Sequence, residues 1–271
     1  MLFRSIIFKE TRFMHILVTN DDGIQAPGLL SLVNAMRPLG KVSVLAPDHN
    51  WSASGHVKTL HRPLRIRETL LSDGSPAFCS DGAPSDCVAL AVLGFLPEPV
   101  DLVVSGVNPN ANVAQDLTYS GTVTAAMEGV IWGIRSAAFS LDSPENHLEA
   151  LDYNTATLVA RQVVEMMVKQ DLPKNILLNV NIPYLAPDRL KGFCVTRQGD
   201  RVYKDALIRR EDPRGRPYYW IGGEVPSGVW EEDTDIGAMA EGYVSVTPIQ
   251  LDLTAYNLLE KMRAWDWKPV K

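Results

Sequence analysis

Short apolar runs alternate with helical patterns along the first two thirds of the chain, and this alternation constrains the fold more than any other feature. Residues 15–19 (HILVT), 42–46 (VSVLA), 101–105 (DLVVS), 136–140 (SAAFS) and 176–182 (ILLNVNI) are apolar runs of strand length. Between them, residues 27–36, 83–93, 121–132 and 148–169 read as helices, and Pro27 suits a first helical turn. Two shorter runs, 59–66 and 77–80, read as minor strands. Near-continuous apolar strands separated by helices predict an α/β fold, with a mainly parallel sheet and helices on both faces. With 271 residues, 46% hydrophobic and 21% charged, the chain can build a sizeable core of this kind.

The two ends read differently. Residues 1–13 (MLFRSIIFKETRF) carry Arg4, Lys9, Glu10 and Arg12 around an apolar run of Ile6-Ile7-Phe8, too short for a signal-peptide core. They are expected to be an N-terminal extension, with one domain spanning residues 14–271. Residues 198–241 are rich in charged, Gly and Pro residues. Within them Tyr218-Tyr219-Trp220-Ile221 reads as part of a β-hairpin, followed by a strand at 244–248 and a helix at 254–264. Residues 198–271 therefore form an expected arm, either a lid or an oligomerisation element.

Charge narrows the functional classes. A net charge of -6 and a pI near 5.4 argue against gripping a nucleic-acid polymer, which needs a basic surface. Phosphate handling by such a chain requires a local positive source, a metal ion or a helix N-terminus. No run approaches the roughly 18 apolar residues of a membrane span, so no membrane partner is expected. Cys79, Cys87 and Cys194 have neither zinc nor disulfide-framework spacing and read as reduced thiols of a cytoplasmic protein.

In an open α/β sheet, ligands bind beyond the carboxyl ends of the strands. After the first strand come Asn20-Asp21-Asp22-Gly23. Adjacent carboxylates repel, and a hard divalent cation with oxygen ligands would offset that, although an ordinary Asp-capped turn explains the same residues. After the second strand, residues 47–56 form a polar loop with His49, Ser52, Ser54 and His56; surface histidines are the plainer reading. After the 101–105 strand, Gly106 leads to Asn108 and Asn112, where an Asn carbonyl can ligate a hard cation or simply shape a turn. Ser120-Gly121-Thr122 open a helix, where free N–H groups and the dipole favour a phosphate, or where Ser120 is a plain cap. Each signal is weak alone. Their placement at one end of one sheet is what gives them weight.

Taken together, HILVTNDDGIQAPGL, APDHNWSASGH, SDGAPSDCV, DLVVSGVN, YSGTVTAAMEG, LLNVNIP, TRQG and GYVSVTPIQLDLT resemble the SurE family of survival-protein nucleotidases. The resemblance runs from Met14 to about Tyr256. It implies a Rossmann-like core and metal-dependent hydrolysis of nucleoside 5'- and 3'-monophosphates by metal-activated water, in some members also of short polyphosphate. It implies one divalent ion per subunit, Mg²⁺ or Mn²⁺, and homodimers or homotetramers built with the C-terminal arm. By position the metal ligands would be Asp21, Asp22, Ser52 and Asn108, with Asp21 and Asp22 at the reaction centre. Asn20, Gly106, Asn112, Ser120, Gly121 and Thr122 are expected to contact the nucleotide, and His56 is a candidate proton donor. Two departures stand out: Trp51 replaces the arginine common before the liganding serine, and Pro109-Asn110-Ala111-Asn112 replaces a glycine-bearing loop. A rival reading has Asp21 attack phosphorus to form an aspartyl-phosphate, but the D-x-D of such enzymes is absent. A non-enzymatic nucleotide-binding module is the other rival, weakened by the lack of G-x-G-x-x-G after the first strand.

Overall fold

The structure is a computed structural model, described here for residues 13–144 and 149–268. All but the last residue of the expected N-terminal extension, and residue 148 of the expected long helix, lie outside the described residues. The element order is β1 (His15–Thr19), α1 (Pro27–Met36), β2 (Lys41–Pro47), β3 (Ile66–Leu70), β4 (Pro76–Ser80), α2 (Pro84–Leu90) and β5 (Leu102–Asn108). Then follow α3 (Gly121–Ile131), β6 (Arg135–Asp142), α4 (Asn154–Lys169), β7 (Ile176–Pro183) and β8 (Phe193–Val195). The chain ends with β9 (Arg201–Glu211), β10 (Pro217–Gly228), α5 (Asp235–Ala240), β11 (Val244–Gln250) and α6 (Tyr256–Arg263).

Nine strands form one sheet in the order β3-β4-β2-β1-β5-β6-β7-β11-β8. The run from β4 to β7 is parallel; β3 on β4 and β11 on β7 are antiparallel. Side-chain alternation along the central strands divides the core. Ile16, Val18, Val44 and Val104 point to one face, under Leu29, Leu32 and Met36 of α1 and Ala160 and Val164 of α4. Leu17, Leu45 and Val103 point to the other, under Cys87 and Val88 of α2 and Ala125 of α3. Helices thus cover both faces, as parallel strands buried on both sides require. Truncating any of these buried leucines to Ala would cost about 2–5 kcal/mol.

Strand order reverses at the centre. From β1 the chain moves outward through β2 to β4, and later returns beside β1 as β5 before moving the other way to β7. The crevice beyond the carboxyl ends of β1 and β5 is therefore the topological switch point.

The sequence expectations differ from the structure at the margins. The run 59–66 is largely loop, because Thr59 gives both its N–H and its hydroxyl to Asp86 (2.9 and 2.7 Å) and the strand begins only at Ile66. The long helix begins at Asn154, after Asp152 accepts the Asn154 N–H. The expected hairpin is longer than Tyr218–Ile221 suggested: β9 and β10 pair as a separate two-stranded ribbon. Among the described residues the cysteines are free thiols, and burial pushes the Cys87 thiol well up. No helix among them is long and apolar enough to cross a membrane.

Candidate active site

Thr19 ends β1 opposite Ser105 of β5, and the next residues carry the acidic pair into the switch-point crevice. Asn20 is fully buried and its Nδ2 donates to the Gly23 carbonyl (3.0 Å), closing the turn that Asp21 and Asp22 occupy. Gly23 has φ +101°, a conformation a side chain would strain, and a Cβ there would press on the His49 backbone at 3.2 Å. The Asn20 Oδ1 is buried without a hydrogen-bond partner, as are Thr19 Oγ1 and Ser105 Oγ.

The two carboxylates have different surroundings. Asp21 is 4% exposed. The Thr122 hydroxyl donates to its Oδ1, and the backbone N–H groups of Gly121 and Thr122 also donate to its carboxylate. Burial raises the Asp21 pKa more than these donors lower it. Asp22 is half-buried, and the Asn50 amide reaches its Oδ1 only at 3.5 Å. Burial first, and the Asp21 charge second, push Asp22 up to about 7. The protein alone therefore leaves the second carboxylate short of positive charge.

Ser120-Gly121-Thr122 are brought to the acidic pair, and Ser120 takes the capping role that is the plainer reading of its sequence. Ser120 Oγ accepts from the Val123 N–H (3.1 Å) and caps α3. Gly121 lies so close that a Cβ would sit 2.7 Å from the Asp21 Cβ. The positive end of α3 is thus already occupied by Asp21.

The other expected residues divide. Asn108, at the end of β5, gives its Nδ2 to the Asn110 carbonyl (2.6 Å), which leaves its side-chain oxygen as the free ligating atom. Ser52 is exposed in the loop over the acidic turn, where Trp51 N–H donates to the Asp21 carbonyl (2.7 Å) and Ser52 N–H to Asn50 Oδ1 (2.7 Å). Gly106 is a backbone requirement: at φ +126° it lies against β6, and a Cβ would meet the Phe139 carbonyl at 2.3 Å. Asn112 is locked among Asn179, Asn181 and Ser140, donating to Ser140 Oγ and accepting at its carbonyl from both asparagine amides. It holds the 109–113 loop in place. His56 lies on Glu128 (3.0 Å), two turns along α3 from Gly121, a rise of about 10 Å. The structure does not bring it to the acidic pair.

Two positions near the pair escaped the sequence reading. Asn50 links Asp22 to Ser52, while in the sequence it is one polar residue of a loop without a pattern of its own. Tyr153, just before α4, has its phenol pushed up to about 12 by burial first and then by the Asp22 charge, so it remains protonated beside Asp22. No local pattern could place a residue from the start of α4 at the end of β1.

The fold and the site define a class: a Rossmann-like α/β protein with paired carboxylates at its switch point and oxygen donors arriving on the neighbouring loops. The chain belongs to the SurE family, since the family model described as Survival protein SurE matches residues 16–205. It is similar to the 5'-nucleotidase SurE of Chloroflexus aggregans, with 52% identity covering 94% of this chain and all of the relative. The 5'-nucleotidase SurE of Herpetosiphon aurantiacus is 47% identical over 94% of this chain and 99% of its own. The crystal structure of the Sure protein from Aquifex aeolicus superposes with a TM-score of 0.78 at 42% identity, over 92% of this chain and 98% of that one.

Proposed function

We propose that this chain is a metal-dependent phosphatase that hydrolyses nucleoside 5'-monophosphates, and also 3'-monophosphates, to nucleoside and phosphate. The observation that carries the reading is the asymmetric acidic pair, Asp21 tied down and Asp22 lacking a counter-charge, at the switch point of a chain so similar to proteins named 5'-nucleotidase.

The donors fit a hard divalent cation. They are oxygens throughout; among the described residues no three His, Cys, Asp or Glu converge as a softer site would require. A buried, unpartnered Asn20 Oδ1 lies at the same turn. Asp21, Asp22, Ser52 and Asn108 would hold one Mg²⁺ or Mn²⁺ per subunit. Such an ion, when bound, offsets both carboxylates, draws charge from the phosphoryl oxygens and acidifies water.

The chain's own residues set the geometry. Thr122 and the α3 N-terminus fix Asp21, whose buried carboxylate already accepts the Thr122 hydroxyl and lies among the first backbone N–H groups of the helix. That arrangement supports transfer of the phosphoryl group to water over attack by Asp21. Tyr153 keeps a neutral hydroxyl within the field of Asp22. The arm of residues 198–271 is assigned to self-association as a homodimer or homotetramer.

A phosphate-release screen tests the substrate assignment. The panel is 5'- and 3'-nucleoside monophosphates, short polyphosphate and glucose 6-phosphate, with Mg²⁺, Mn²⁺ or Zn²⁺. Nucleotides should exceed glucose 6-phosphate in kcat/KM by about tenfold or more. Equal values would refute the nucleotide assignment, and no release from any ester would refute the phosphatase.

A further inference from the structure

Residues 49–51 wrap the acidic turn. The His49 backbone lies against Gly23, the Asn50 amide reaches Asp22, and the Trp51 N–H donates to the Asp21 carbonyl at 2.7 Å. The side chains on either side of Asn50 are both aromatic, and their rings lean against each other in a tilted, offset stack, centroids 5.2 Å apart and inclined by 32°. The His49 ring is held in place: its Nδ1 contacts Asp48 at 2.6 Å, and Asp48 is itself held by Arg67 at 2.7 Å. The His49 side chain is 60% exposed and Trp51 is half-buried, so the pair presents ring surface to solvent next to the proposed phosphate site.

Packing does not account for Trp51. Its indole N–H is buried with no acceptor, which is destabilising, and a Phe or Leu would fill the space without that loss. Residues kept against local stability tend to mark function.

We infer that Trp51, backed by His49, forms a stacking wall for the base of the substrate nucleoside monophosphate. The inference rests on the phosphatase reading. A nucleotide whose phosphate lies at Asp21 and Asp22 carries its base one ribose away, and Trp51 is one hydrogen bond from Asp21. Each base stacked on an aromatic side chain gains a roughly five- to hundredfold preference. The orientation of His49, fixed by Asp48 and Arg67, means that little freedom is lost on binding.

The test compares 5'-AMP with ribose 5-phosphate, the same ester without a base. In Trp51→Ala the ratio of their kcat/KM values should fall by roughly tenfold or more, mainly through KM for AMP. Trp51→Phe should keep most of the ratio, because it keeps a ring. An unchanged ratio, or an equal fall for both esters, would overturn the inference; the second result would make Trp51 a mere prop for the Asp21 turn. Fluorescence supplies a readout free of turnover. AMP added to the full-length protein, metal-free and Mn²⁺-loaded, should quench emission that Trp51→Phe lacks. Quenching without hydrolysis of any nucleotide would keep the wall and discard the phosphatase. Absence of Trp51-dependent quenching at millimolar AMP would discard the wall.

Discussion

At the scale of single residues, the acidic pair exchanges stability for charge. Asp22 lies near 7 in the folded protein, against about 4 in an unfolded chain. The folded state therefore binds the proton more tightly, and its stability falls as pH rises from about 4 to about 7. Below that window Asp22 is protonated in both states and costs nothing. Above it the full cost is present until a cation offsets it. Asp22→Asn should then stabilise the metal-free protein at pH 8 by on the order of 1–3 kcal/mol, with the gain vanishing toward pH 4. Thermal melts in chelator at the two pH values check this. A variant less stable than wild type at pH 8 would show that Asp22 is satisfied within the protein. The pair itself was legible in the sequence through its company: Asp-Asp-Gly alone reads equally as an ordinary turn, but the other motifs fall at the same end of the sheet. Its asymmetry was not. That depends on the depth of burial of each carboxylate and on Thr122 and Gly121, which the fold brings in from a distant segment.

At the scale of elements, α3 is the part that prepares the site. Its N-terminal donors point at Asp21, and only a glycine at position 121 lets the helix approach so closely. Gly121→Ala puts a methyl group 2.7 Å from the Asp21 Cβ. Helix propensity alone would favour alanine by about 1 kcal/mol. The clash should prevail at the site: turnover should drop by about a hundredfold, while overall stability changes by no more than about 2 kcal/mol. Steady-state kinetics beside a melt measure both, and wild-type turnover would contradict the close approach. The same helix shows where reading from sequence stops. Ser-Gly-Thr before a helix signals an N-terminus, but whether the anion there comes from a ligand or from the protein's own Asp21 is a tertiary fact. The strands were easier, since burial on both faces of a parallel sheet leaves continuous apolar runs such as HILVT and DLVVS. The ribbon strand β9 was harder. Its residues RVYKDALIRRE stand outside the sheet and carry no core-facing pattern.

At the scale of the whole molecule, the arm leaves several large apolar side chains exposed. Trp220 is 63% exposed and Ile221 83%, and no residue of α6 is buried. Large apolar side chains exposed in such number mark contacts. The full-length protein should run as a dimer or tetramer by light scattering at micromolar concentration, and Trp220→Glu with Ile221→Glu should shift it toward monomer. A wild-type monomer would leave the arm without its assigned role. On the proposed function, all of this serves a centre whose chemistry would depend on a cation held by Asp21, Asp22, Ser52 and Asn108. The most direct test is phosphate release from 5'-AMP by the chelator-treated protein, before and after Mn²⁺ is restored, with Asp21→Asn in parallel. Turnover should fall by about a thousandfold on chelation, return with Mn²⁺, and stay absent in Asp21→Asn at saturating metal. Chelator-resistant turnover, or a phosphorylated Asp21 recovered after acid quench, would contradict the account.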